Sequence, residues 1–161
     1  MTPISEQGRV LACAVQDLTR RMKLSKSATG FLSELGASLL LLSDLEEAYT
    51  AFEQDIIYDS TQHKFKHRYI CDQCYPSDGI EGFRFICTTC GTRSICSLCM
   101  AKHKDSSSDI PCQGHEFLQI PREGWSSENA TSLISSDTLR TTWLDHLAAK
   151  YANHNSALGP E

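Results

Sequence analysis

The chain has 161 residues, room for one medium domain or two small ones, and its 40% hydrophobic content argues against a single large core. The opening MTPISEQGRV carries no charged-then-apolar export pattern, and the longest apolar stretch, Phe31 to Leu42, is too short to span a bilayer and contains Glu34. Eight cysteines without such a signal point to metal-held thiolates in a reducing interior, cytoplasmic or nuclear, and not to a secreted disulfide scaffold or a membrane protein. The formal charge of −5 is uneven: −4 over residues 1–62, +4 over residues 63–104 and −5 over residues 105–161.

Residues 1–8 read as a loose end. From Gln7 to Met22, the positions Leu11, Ala14, Val15, Leu18 and Met22 form one face of an amphipathic helix, with Cys13 read as a small buried hydrophobe beside it. Lys23 to Gly30 is a turn with several capping candidates. Phe31 to Tyr58 holds a helical pattern in which Leu35, Leu42, Tyr49 and Ile56 recur every seven residues, with Leu45 and Phe52 between them. Ser43-Asp44-Leu45-Glu46 matches a capping box, so two consecutive helices meeting near Ser43 are an alternative to one long helix. This stripe suits a helical hairpin with the first helix; its sharper reading is a coiled-coil seam that makes a homodimer through residues 31–58. Asp59 to His67 reads as a polar linker or entry segment.

The chemistry sits between Cys71 and His115. Three Cys-x2-Cys pairs, Cys71/Cys74, Cys87/Cys90 and Cys96/Cys99, are followed by His103, Cys112 and His115. Two residues between cysteines let a tight turn aim both sulfurs at one tetrahedral ion, at about 2.3 Å for zinc. Two closed sites need eight ligands. The pairs give six, and His103, Cys112 and His115 compete for the remainder, with Cys112 and His115 preferred because their x2 spacing makes a ready knuckle. Spacing alone leaves open which pairs share an ion. A catalytic zinc keeps an open position, whereas these candidates fill both spheres, and no His-Glu-x-x-His or deaminase pattern is present. The expectation is two structural Zn2+ ions and no enzyme activity.

The run His67-Arg68-Tyr69-Ile70-Cys71-Asp72-Gln73-Cys74, then Ile80-x-Gly82-x-Arg84-Phe85-x-Cys87, Ile95-Cys96-x2-Cys99 and His115-x-Phe117, resembles the ZZ-type zinc finger family, the cross-brace modules of dystrophin-like proteins, sequestosome and some ubiquitin ligases. The resemblance covers roughly residues 67–120. It implies interleaving: Cys71, Cys74, Cys96 and Cys99 on one zinc, Cys87 and Cys90 on the other with two C-terminal ligands. Family members usually close with two histidines; this chain has Cys112-Gln113-Gly114-His115, with His103 as the alternative to Cys112.

The resemblance also implies recognition of a protein or peptide partner. In several members carboxylates around the knuckles bind a free N-terminus. Here Asp72 stands at the first such position, but Thr92, Arg93 and Ser94 occupy the acidic run, which disfavours an ammonium ligand. Asp72, Arg84 and Arg93 are the partner-binding candidates. Phe83, Phe85, Ile95, Phe117 and Ile120 are expected to form a small core that only bound metal can stabilise. A nucleic-acid binder using the basic patch of residues 63–104 is the competing reading.

The expected architecture is therefore a helical segment over 1–62, a small α+β zinc finger with short β-hairpins over 63–122, a flexible linker over 123–136, a C-terminal helix over 137–152 and a disordered tail over 153–161. On that last helix Leu139, Trp143, Leu147 and Tyr151 share a face, for packing on the N-terminal helices or for anchoring a partner.

Overall fold

A computed structural model of the chain describes residues 5–25, 29–75, 78–104, 112–126, 128 and 136–152. These are mixed α+β, with five helices and two small antiparallel sheets. The chain divides into two units, Met1–Gln54 with Glu128–Glu161, and Asp55–Ser127.

The first unit is helical: α1 (Glu6–Leu24), α2 (Thr29–Leu41), α3 (Leu45–Gln54) and, from the far end of the chain, α5 (Asp137–Ala152). Ser5 caps α1 by accepting from the Gly8 N–H at 3.1 Å, and Glu6 at the start with Arg21 and Lys23 at the end complements the helix dipole. The buried face of α1 is Ala12, Val15, Leu18, Thr19 and Met22. Cys13 is exposed, not buried as expected, because this face is turned toward Ala12 and Thr19.

The long helix expected over 31–58 is two helices and a strand. Ser43 adopts a left-handed φ of 61°, the Ser43 N–H bonds to Leu40 O at 2.9 Å, and the Asp44 N–H bonds to Leu39 O at 2.9 Å. That pair closes α2 as a Schellman motif. Asp44, whose carbonyl accepts from the Ala48 N–H at 2.9 Å, then opens α3, so Ser43 is not the N-cap that the capping-box pattern suggested. The heptad seam is interrupted there, and Leu35, Leu39 and Phe52 are buried inside the unit. Helix α2 packs on α1 and α3. The approach to α3 is close enough that a Cβ on Gly36 would lie 2.7 Å from the Phe52 ring.

Helix α5 is capped by Ser136, whose Oγ accepts from the Leu139 N–H at 3.3 Å, and it packs on α1. Leu144, Leu147 and Tyr151 are its buried residues, while Leu139 is exposed. Polar contacts fix its register. Asp44 accepts from both Lys150 Nζ and the Tyr151 hydroxyl at 2.6 Å, Trp143 Nε1 donates to Glu47 at 2.7 Å, and Lys23 pairs with Asp145. Burial, then the Asp44 carboxylate, pushes the Tyr151 phenol well up. Trp143 is thereby held within this unit by Glu47.

The second unit begins at Asp55, eight residues before the expected boundary at 63, because β1 (Ile57–Asp59) pairs antiparallel with β2 (Lys64–His67). The stretch read as a linker is their hairpin. Asp59 Oδ1 accepts from the Thr61 N–H at 2.8 Å and the Thr61 hydroxyl at 2.6 Å, an Asx turn that the Ile-Tyr continuation of the heptad disguised. Strand β3 (Ile80–Glu81) completes this sheet in the order β1-β2-β3. The other sheet has the order β5-β4-β6, with β4 (Arg84–Cys87) central, β5 (Ser94–Cys96) and β6 (Phe117–Ile120) at its edges, and α4 (Ser97–Lys104) following β5.

Ile80, Ile95, Cys71 and Cys99 form a buried cluster, with Phe85, Met100 and Phe117 packed against it. Phe83, expected in the core, is exposed and meets Phe65 edge to face at 5.6 Å. Trp125 also packs on Phe65, at 5.9 Å between ring centroids. The expected linker over 123–136 falls mostly, and the tail over 153–161 wholly, outside the described residues.

Candidate metal centres

Two groups of side chains are brought together in the second unit. Cys71, Cys74, Cys96 and Cys99 form one, and Cys87, Cys90, Cys112 and His115 the other, with the ligand atoms of each group all within 4.8 Å of one another. The first and third cysteine pairs thus share a cluster, and the second pair joins the late Cys-x2-His.

Strand register produces this grouping. Strand β4 pairs Arg84 with Cys96 on β5 and Cys87 with Phe117 on β6, so the single strand reaches both clusters. About 10 Å of strand separates its ends. The pairing of Cys87 with Phe117, reinforced by the Thr88 N–H to Glu116 O at 3.0 Å, sets His115 beside the second knuckle. Cys71 reaches β5 through Asp72, whose N–H bonds to Ser94 O at 2.8 Å and whose carboxylate accepts from the Ser94 N–H at 2.6 Å.

The spacing suits a tetrahedral ion. Zinc–sulfur bonds of about 2.3 Å put two sulfurs roughly 3.8 Å apart, and a sulfur and an imidazole nitrogen slightly closer. Cys74 and Cys96 sulfurs lie 3.8 Å apart, Cys90 and Cys112 sulfurs 3.4 Å, and His115 Nδ1 is 3.3 Å from Cys87 Sγ and 3.7 Å from Cys90 Sγ. Both groups can hold a metal ion, and thiolate-rich tetrahedral donor sets favour zinc over hard cations.

The electrostatics point the same way. Burial pushes the Cys71 thiol up, but N–H groups of Cys74, Cys96 and Gln73 aimed at its sulfur outweigh this and bring it down to about 7. Burial, and after it the Cys71 sulfur, push Cys74 and Cys99 up. In the second cluster burial is again the largest effect on Cys87, yet N–H groups and His115 lower it overall. Cys112 is pushed up to about 12 by burial and then by Cys90 and Cys87. One thiolate per cluster is supported by the backbone, while Cys74 and Cys99 in the first cluster and Cys112 in the second resist joining it. A divalent cation resolves that conflict, since a coordinated thiol is deprotonated outright.

The remaining site candidates are placed as follows. His103 stands on α4 with its ring 5.2 Å from Phe117, edge to face, and belongs to neither cluster. Arg84, a candidate partner contact, is 3% exposed: its Nε donates to Ser94 Oγ at 2.9 Å and its guanidinium lies over the Tyr69 ring at 4.0 Å. It is therefore an interior residue, and burial lowers its pKa to about 10 against the pull of Tyr69, Asp55 and Asp72. Asp72 spends a carboxylate oxygen on the Ser94 N–H, whereas Arg93 is exposed. His67 is 2% exposed and bonds Gly82 O at 3.0 Å. The residues that sequence reasoning missed are Ser94 and Tyr69, which make the burial of Arg84 possible; a serine and a tyrosine at those places gave no signal of it.

No family model, curated protein or solved structure matches this chain.

Proposed function

We propose that the second unit is a ZZ-type zinc finger, a cross-brace with two structural zinc ions that serves a non-enzymatic, intracellular protein-interaction module. The observation that carries this reading is the interleaved grouping of two four-ligand clusters. Four protein ligands per ion leave no position for a reactive water, so the metal acts on folding, where structural zinc contributes about 10–16 kcal/mol of apparent binding energy. A module with no open metal site acts through its surface, and a peptide or protein partner suits that surface.

The test is metal content of the intact chain by native mass spectrometry. The expected result is two zinc ions per chain, retained in His103→Ala and reduced in Cys112→Ser. A metal-free folded chain, or equal loss in both variants, overturns the reading. Exposed Lys64, Arg68, Arg93 and Lys102 favour a second reading, nucleic-acid binding, whose signature is an affinity that falls steeply with salt.

A further inference from the structure

The two clusters differ in charge and in the exposure of their sulfurs. Four thiolates around a divalent ion carry a net charge of about −2, whereas three thiolates and a neutral imidazole carry about −1. That excess sits on the sulfurs and makes the thiolates of the first cluster the better nucleophiles. Within this cluster the sulfurs are not equivalent. Cys71 and Cys99 are buried, Cys96 is half-buried, and Cys74 alone among the seven clustered cysteines is exposed. The N–H groups of Gln73 and Cys96 both donate to Cys71 Sγ, at 3.4 Å each, so the backbone draws charge from a sulfur that is already shielded.

Cys74 also has a sulfur partner in reach, since its Sγ lies 3.8 Å from that of Cys96. The knuckle that carries Cys74 is held on β5 by contacts that involve no sulfur. The Asp72 N–H donates to Ser94 O at 2.8 Å, and the Asp72 carboxylate accepts from the Ser94 N–H at 2.6 Å. Those bonds keep Cys74 and Cys96 neighbours whether or not a metal joins them. In the second cluster the Cys90 and Cys112 sulfurs are closer, at 3.4 Å, but both are half-buried and their cluster carries less charge.

We infer that the first cluster is a redox switch, in which hydrogen peroxide joins Cys74 to Cys96 and frees the metal. This deepens the zinc-finger reading and rests on it. The Cys74 thiolate attacks one peroxide oxygen, the O–O bond breaks, hydroxide leaves and Cys74 becomes a sulfenic acid. The Cys96 thiolate then attacks the Cys74 sulfur, an S–S bond forms and a second hydroxide departs. Peroxide gains two electrons, each sulfur gives up one, and both hydroxides take protons from solvent to become water. Cys71 and Cys99 remain, and two sulfurs are too few to close a tetrahedral site. The cross-link from the knuckle to β5 thus passes from the ion to a disulfide, which a thiol reductant reverses.

The test uses the full zinc-loaded chain in a Cys13→Ser background, because Cys13 is an exposed thiol outside both clusters. Native mass spectrometry counts the ions first. Hydrogen peroxide is then added with a chromophoric zinc indicator in solution, and the disulfides formed are mapped by peptide mass spectrometry. The expected result is release of one ion while the other stays, a Cys74–Cys96 disulfide, and recovery of the full metal content with reductant and zinc. Cys74→His keeps a ligand but removes the exposed thiol, and should slow release at least about tenfold, whereas Cys112→His should leave the rate unchanged. The disulfide map is read on the parent and decides the matter even if Cys74→His loads poorly. Resistance of both ions to peroxide, their release together, a Cys90–Cys112 disulfide formed first, or equal slowing in the two variants each overturn the inference. A chain that carries no metal before oxidant is added overturns the zinc-finger reading as well, so the two failures are told apart at the first measurement.

Discussion

The burial of His67 ties the stability of the second unit to pH. Desolvation first, and then the charge of Arg84, lower its pKa from 6.5 to about 4, while its bond to Gly82 O acts weakly the other way. The fold therefore prefers the neutral ring. Above pH 6.5 both states are neutral and the group costs nothing. As pH falls, the unfolded chain takes up a proton that the folded chain refuses, and stability is lost until the folded pKa is passed. The ceiling is about 3 kcal/mol, and between pH 7.5 and pH 5.5 the loss is about 1.3 kcal/mol. Cysteine ligands also take up protons in acid, so the informative quantity is a difference between variants. His67→Gln retains an N–H donor for Gly82 O and removes the titration. Urea unfolding of the second unit, followed by Trp125 fluorescence in a Trp143→Phe background and saturating zinc, should show the variant losing about 1 kcal/mol less than the parent over that interval. Parallel pH profiles, or an NMR titration placing His67 above pH 6, would refute the reasoning.

Three other outcomes follow from named contacts. Replacing Gly36 by valine puts carbon where the Phe52 ring edge lies 2.7 Å from an ideal Cβ, so urea unfolding should register a loss of about 1–3 kcal/mol, partly recovered by Phe52→Leu. Asp44→Ala withdraws the acceptor of both Lys150 and Tyr151 and should cost about 1–3 kcal/mol, more than Tyr151→Phe, a ranking that chemical denaturation reads directly. A strong chelator at neutral pH should abolish the dispersed NMR signals of Ile80, Ile95 and Phe117 while most of the 222 nm dichroism survives, because α1, α2, α3 and α5 belong to the other unit.

What could be read in the sequence was what is local. A Cys-x2-Cys turn is decided by four consecutive residues, so the six paired cysteines were legible as members of clusters that could hold a metal ion. The break near Ser43, read as the alternative to one long helix, was legible for the same reason. The grouping of pairs was not legible from spacing, because it depends on β4 pairing with both β5 and β6, a matter of register across more than thirty residues. Strand β1 was hidden because Ile56 continues a heptad begun at Leu35, and period alone cannot say where a helix yields to a strand. Cys13 and Phe83 were misplaced by the same assumption, that an apolar side chain near a core belongs inside it.

Arg84 shows why such errors are physical and not clerical. A guanidinium is assigned to the surface because burying it alone is costly, and that rule is sound for an isolated charge. Inside this unit the charge is not isolated. The Tyr69 ring receives its face, Ser94 receives its Nε–H, and Asp55 and Asp72 act on it through space. Ser94 in turn holds Asp72, the residue next to Cys71, and Arg84 pairs across the sheet with Cys96. The arginine thus lies in the path by which β4 positions the first cluster, three residues from the Cys87 that serves the second. Arg84→Met would keep the stem and remove the charge, the donor and the stacking plane together. On this reasoning both clusters should lose affinity for metal in that variant, although neither loses a ligand. Zinc competition against a chromophoric chelator measures this, and an unchanged affinity at both sites would show that the β4 register alone is enough.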